Sequence, residues 1–202
     1  MRSIVTLLIA ANFAVFALDK LLGGTFYLHF GLWPLGSFPA PEFGTNVGFQ
    51  PWQLVTSAFL HDTKNLMHIG FNMFALYMFG GEVERALGSR RFIWLYFASI
   101  LTASLVQLAV VTANAPEEIA PTVGASGGVF GVLLAFAMLY PHRRVMLIFP
   151  PIPMPAWLLV AGYGVVELAM GVFGTQQGVA HFAHLGGMLG AFIVLLVVRR
   201  RA

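Results

Sequence analysis

A serine set among glycines and six histidines are the residues of this chain best placed to do chemistry. The serine is Ser126, in Gly124-Ala125-Ser126-Gly127-Gly128. It opens an apolar segment that reads as a helix, where the first N–H groups lack helical partners and the helix dipole favours negative charge. A hydroxyl beside free N–H donors has the parts for acyl transfer, a nucleophile and an oxyanion site. Ser is also a common helix N-cap, and Gly127 and Gly131 are spaced as small residues are in close helix packing, so the segment alone leaves both readings open. A base must come from elsewhere in the chain. His181 and His184 are three apart and share one helix face. His68 and Asn72 lie one turn apart and offer side-chain donors for an oxyanion. His142, beside Arg143 and Arg144, reads as solvated, and His29 and His61 fall in a long loop.

A metal is the competing use of these histidines. His181-x-x-His184 with His68 could hold zinc. The pair lacks the acidic base of a His-Glu-x-x-His helix, and no carboxylate is near in sequence. Glu167 lies well inside an apolar span, whereas Asp19 and Glu82 sit near the ends of theirs, and the sequence assigns it no role. The expectation is no metal and no cofactor. The chain has no cysteine, which excludes a thiolate nucleophile, disulfides and Cys-ligated metal.

These residues need elements to bring them together, and the composition says where those elements lie. Of 202 residues 58% are hydrophobic and 9% charged, with mean hydropathy +0.82. Soluble domains carry about a quarter charged residues, so this chain reads as one all-α membrane domain, 1–202. Six apolar stretches suit a bilayer core of about 30 Å: 4–22, 65–83, 92–113, 125–140, 154–173 and 180–198. The first, after Met1 and Arg2, has a signal peptide as its rival reading. It lacks a convincing cleavage site and reads as a retained helix. The Gly-, Pro- and aromatic-rich stretch 23–64 reads as a partly embedded outer loop.

The basic residues test this count. Six spans put Arg2, Arg85, Arg90, Arg91, Arg143, Arg144, Arg199, Arg200 and Arg201 on one side, and only Lys20 and Lys64 on the other. That bias makes both termini cytoplasmic and accounts for the net charge of +3 without nucleic acid. The outer side collects Asp19, Glu42, Asp62, Glu117 and Glu118. Six spans also bring Ser126, His68, His181 and His184 to one depth on the outer side. From Ser126 to Tyr140 a helix measures about 22 Å, short of the bilayer core. Ser126 then lies below the outer surface. Irregular backbone at that depth needs protein or a wet cavity around it.

With these segments in order, the chain resembles the rhomboid intramembrane serine proteases in their compact bacterial six-helix form. The resemblance rests on Pro51-Trp52-Gln53-Leu54-Val55-Thr56, His68-Ile69-Gly70-Phe71-Asn72 and Gly80-Gly81-Glu82-Val83-Glu84-Arg85. It continues with Gly124-Ala125-Ser126-Gly127 and Ala183-His184-Leu185-Gly186-Gly187. It implies a Ser126–His184 dyad with no third acid, and an oxyanion site from the Ser126 N–H, His68 and Asn72. It also implies substrate-backbone contact near Gly124, and a substrate gate at the fifth span. Substrates would be membrane-spanning helices cut near the outer face of a cell membrane. Two positions depart from the family pattern. Gln53 stands where many members have Arg after the Trp, so the loop is anchored differently. Phe130 stands where many have Tyr packed on the catalytic histidine, so a ring remains without its hydroxyl. Two other classes compete: a silent rhomboid-like protein that binds or chaperones membrane helices, and a transporter, suggested by the short fourth span. Silent relatives typically lack the serine or histidine, and no second broken span supports transport.

Overall fold

A computed structural model describes residues 3–40, 44–114, 120–146, 151–174 and 180–199. Arg2, Glu42, Glu117, Glu118, Arg200 and Arg201, used above to judge sidedness, lie outside the described residues.

The chain is mostly helical. Helix α1 (Ile4–Leu21) leads into a short α2 (Phe26–Phe30), strands β1 (Phe38–Ala40) and β2 (Thr45–Val47), and α3 (Gln53–Thr56). Next come α4 (Leu66–Ala75), a wider π-helical turn (Leu76–Gly80) and α5 (Gly81–Leu87), which run on from one another. Helices α6 (Ser89–Asn114) and α7 (Ser126–Leu139) follow. Strands β3 (Arg144–Met146) and β4 (Pro153–Pro155), α8 (Ala156–Phe173) and α9 (His181–Arg199) complete the order.

Among the described residues, four helices are long and apolar enough to cross a membrane: Ile4–Leu21, Ser89–Asn114, Ala156–Phe173 and His181–Val198. Their outward faces carry Leu7, Phe13, Trp94, Val172 and Phe173, all exposed. Apolar side chains facing outward at this density mark a surface solvated by lipid, and the chain is a multi-pass membrane protein.

The structure departs from a purely α-helical reading at two places. Strands β1 and β2 pair antiparallel, as do β3 and β4. Pro39, Pro153 and Pro155 lie in these strands. Proline has no N–H for a helix interior, and a short hairpin satisfies its neighbours' backbone groups instead. Helix α6 also starts earlier than the apolar run suggests. Gly88, at φ +79°, ends α5, and Ser89, Arg90 and Arg91 form the first turn of the next helix.

The core lies where α6, α7 and α9 meet, around Phe92, Leu95, Tyr96, Ile100, Val132 and Ala191. Lipid tails are as apolar as leucine, so burial gives these helices little drive to associate, and close van der Waals packing must hold them. Small residues allow it. A Cβ on Gly131 would fall on Ser99, and one on Gly190 would fall on Ala98 and Thr102.

The entry to α1 depends on a distant acid. The buried carboxylate of Glu84 accepts from the N–H groups of Ile4 (2.9 Å) and Val5 (3.1 Å), and from the hydroxyls of Ser3 (2.5 Å) and Ser89 (2.7 Å). It caps α1 in trans and ties α1, α5 and α6 together. Glu84→Ala leaves those backbone donors unpartnered and is expected to cost about 2–3 kcal/mol. Glu84→Gln, which keeps an acceptor oxygen, should cost less. Denaturant unfolding in detergent micelles measures the order wild type, Gln, Ala.

Candidate active site

The loop before α7 is held from three directions. Leu32 and Thr122 exchange backbone hydrogen bonds, 3.0 Å and 2.9 Å. The Gly124 N–H donates to the Ser57 carbonyl at 3.0 Å, and the Ala125 N–H donates to His61 Nε2 at 3.5 Å. The stretch between α1 and α4 thus acts as a frame for the backbone entering Ser126. Gly124 has φ +129°, a region L side chains rarely adopt, and a Cβ there would sit 2.8 Å from His68 Nε2. Burial, and next the neighbouring His68, push His61 down to about 3, so it is neutral and free to accept at ordinary pH.

The frame is itself organised by Gln53, one of the two departures from the family pattern. Its buried side chain accepts from the N–H groups of Trp33 (3.2 Å) and Gln50 (3.0 Å). It donates to the carbonyls of His29 and Gly48, each at 3.4 Å. The neighbouring Trp52 indole also donates to the His29 carbonyl, at 2.8 Å. A neutral amide that both gives and accepts does here what a cation, with donors alone, cannot.

At the start of α7, Ser126 Oγ lies 2.9 Å from His184 Nε2 on α9. The ring of Phe130, one turn along α7, stacks on the His184 imidazole with centroids 4.2 Å apart and planes 5° from parallel. Tyr163 of α8 meets Phe130 edge-on. His184 is therefore held flat against a ring with its Nε2 toward the serine.

His68 reaches the site from α4. Its Nδ1 accepts from the Asp62 N–H at 3.4 Å. In a neutral imidazole that leaves the proton on Nε2, the nitrogen facing Gly124. Asn72 spends one side-chain N–H on the His68 carbonyl at 2.8 Å, so at most one remains for a ligand. A cavity of about 30 Å³ adjoins Ser126, lined by Ser57, Ser104, Gln107, Thr122 and Gly124 among others. Its lining mixes these polar groups with apolar ones such as Leu32 and Ile100, and it is large enough for water.

One residue was missed. Glu167 of α8 is buried, with Oε2 2.7 Å from His181 Nδ1 and 2.9 Å from His184 Nδ1. The resemblance implies no third acid, and no carboxylate is near these histidines in sequence; the fold supplies one from the preceding helix. The ligand atoms of Glu167, His181 and His184 lie within 4.8 Å of one another, a set that could also hold a metal ion. The available signal was that Glu167 is the lone acid in an apolar helix, one helix before two histidines.

Residues 48–201 match the Rhomboid domain family. The chain belongs to the rhomboid family. It is 35% identical to Rhomboid protein 1, mitochondrial, of Saccharomyces cerevisiae, over 67% of this chain and 38% of that protein. It is 29% identical to RHOMBOID-like protein 12, mitochondrial, of Arabidopsis thaliana, over 98% of this chain and 59% of the relative. It is 28% identical to Rhomboid protease GlpG of Klebsiella pneumoniae, over 94% and 62%. The chain spans less than two thirds of the length of these relatives.

Proposed function

We propose that this chain is an intramembrane serine endopeptidase that cuts transmembrane segments of membrane proteins near the outer face. The observation that carries this reading is Ser126 Oγ at 2.9 Å from His184 Nε2, at the start of a buried helix in a membrane bundle. That some relatives are named rhomboid proteases supports it.

The proposed chemistry is acyl transfer. His184 Nε2 takes the Ser126 hydroxyl proton as Oγ attacks the scissile carbonyl carbon. Negative charge develops on the carbonyl oxygen, which faces the Ser126 N–H and His68 Nε2–H, with Asn72 as a further donor. The C–N bond breaks and the amine leaves with the proton from His184. Water then attacks the acyl-serine, giving its proton to His184, and the ester C–O bond breaks as His184 returns that proton to Ser126 Oγ. The cavity beside Ser126 is a source of that water.

The proposed topology has six spans, counting the stretch 66–87 and α7 with the four longer helices. Both termini face the cytoplasm of a cell membrane. Helix α7 has 14 residues, about 21 Å, so Ser126 sits inside the membrane rather than at its surface. A substrate must present a carbonyl free of its helical hydrogen bond, which favours small and helix-weakening residues at the cut. Gly124 and Phe130 border the path of the substrate backbone. Reconstituted enzyme with single-span substrates tests the reading: a defined cut within the span supports it, and binding without cleavage points to a helix-binding protein instead. His68→Ala is expected to lower kcat roughly 10²- to 10³-fold, as loss of one oxyanion donor does, with KM little changed. Steady-state cleavage in proteoliposomes checks it.

A further inference from the structure

We infer that Glu167 is a positioning residue for His184, extending the Ser126–His184 pair to a third, acidic member shared with His181. The inference rests on the serine–histidine reading above. Its geometry is a single carboxylate oxygen set between two imidazoles. Glu167 Oε2 accepts from His181 Nδ1 at 2.7 Å and stands 2.9 Å from His184 Nδ1. The His184 contact is close but not aligned as a hydrogen bond in this resting structure, where the buried Nδ1 has no hydrogen-bond partner, and such contacts often tighten only when substrate is bound. All three residues are buried.

A carboxylate is costly in an apolar bundle unless donors surround it, and here the donors are the two ring nitrogens. An acceptor at Nδ1 keeps the neutral His184 proton on Nδ1. Its Nε2 lone pair is then left for the Ser126 hydroxyl, 2.9 Å away. The same charge steadies the imidazolium that forms when the serine proton arrives. The logic is that of a serine–histidine–acid triad built on three helices, α7, α9 and α8. His181 has a separate part. As the better-directed donor, it holds Glu167 in place from one turn before His184. The titratable groups around His184 are Glu167 from α8, His181 on its own helix and, facing it electrostatically, His68 from α4. Of these, Glu167 is the one that offers Nδ1 an acceptor.

The test uses full-length protein in liposomes. Glu167→Gln keeps size and polarity, but its amide can present an N–H to Nδ1 and so favour the wrong tautomer. Loss of the acid in such a triad lowers kcat by up to roughly 10⁴-fold. Here a fall in kcat of roughly 100-fold or more is expected, with KM unchanged. Labelling with [15N]histidine gives a readout independent of turnover. The His184 signals, assigned by difference from His184→Ala, should show the Nδ1–H tautomer in the wild type and lose it in Glu167→Gln. His181→Ala should cause a smaller fall in kcat and weaken the tautomer preference. Wild-type kcat and an unchanged tautomer in Glu167→Gln would overturn the inference while leaving the serine–histidine reading intact. Loss of that reading would instead appear as cleavage insensitive to Ser126→Ala. Purified protein carrying stoichiometric zinc that Glu167→Gln removes would also overturn it, because the metal would occupy the Nδ1 lone pairs.

Discussion

Ser126→Ala and His184→Ala are each expected to lower cleavage of a reconstituted single-span substrate by roughly 10⁴- to 10⁶-fold, the range for loss of a nucleophile or its base. The magnitude follows from the dependence of each group on the other. A serine hydroxyl is a weak nucleophile until its proton has somewhere to go. His184 Nε2, at 2.9 Å, is where the geometry sends it. Removing either residue removes the same step, so the double variant should be no slower than the worse single one. Labelling by a fluorophosphonate probe separates the two roles. Ser126→Ala loses the labelled atom, while His184→Ala keeps the atom and loses its reactivity. Ser126→Ala should retain the wild-type unfolding midpoint, since a methyl group for a hydroxyl leaves the α6–α7–α9 packing untouched, whereas His184→Ala, which removes a buried ring stacked on Phe130 and a partner of Glu167, should lower it. Cleavage that persists in both variants would remove Ser126 and His184 from the chemistry.

The parts of this site that the sequence made legible are those set by order along the chain. Apolar stretches mark the long helices, and the short one ending near Tyr140 stands out by length alone. Counting spans then brings Ser126, His68 and His184 to one end of the bundle. Phe130, one turn beyond Ser126, keeps a ring where the family pattern has one, and that ring stacks on His184. Rotation of a helix about its own axis is harder to read. In a soluble helix the polar face reports it. Helix α8 is apolar nearly all round, so nothing in its periodicity says that Glu167 faces α9 rather than lipid. Gln53 was legible only as a departure from a family pattern. Its function depends on four backbone groups brought close by the fold of the loop, which no local pattern encodes. The hairpins β1–β2 and β3–β4 were hidden for a related reason. Their three-residue strands are too short to show alternation, and their prolines read only as breaks.

Gly187→Ala is expected to disable the site without touching a reacting group. A Cβ at Gly187 would lie 1.9 Å from the Gly127 carbonyl oxygen and 2.7 Å from its carbon. These are backbone atoms of a buried helix, so no side chain can swing aside, and α7 and α9 must separate. The contact lies beside the chemistry: Gly127 follows Ser126, and Gly187 is one turn past His184. Separation therefore opens the Oγ–Nε2 distance directly. A displacement of about 1 Å at reacting groups costs on the order of 100-fold in rate. Overpacking costs a further 1–3 kcal/mol or so of stability. The expected result is fluorophosphonate labelling slowed roughly 100-fold, with a lowered unfolding midpoint and unchanged helix content. Gly162→Ala is the control, because a Cβ there meets nothing within 4 Å, and it should label at the wild-type rate. Wild-type labelling of Gly187→Ala would mean that helix separation does not set the distance between serine and histidine. A loss equal in Gly162→Ala would mean that the effect reflects glycine replacement in general rather than the crossing of α7 and α9.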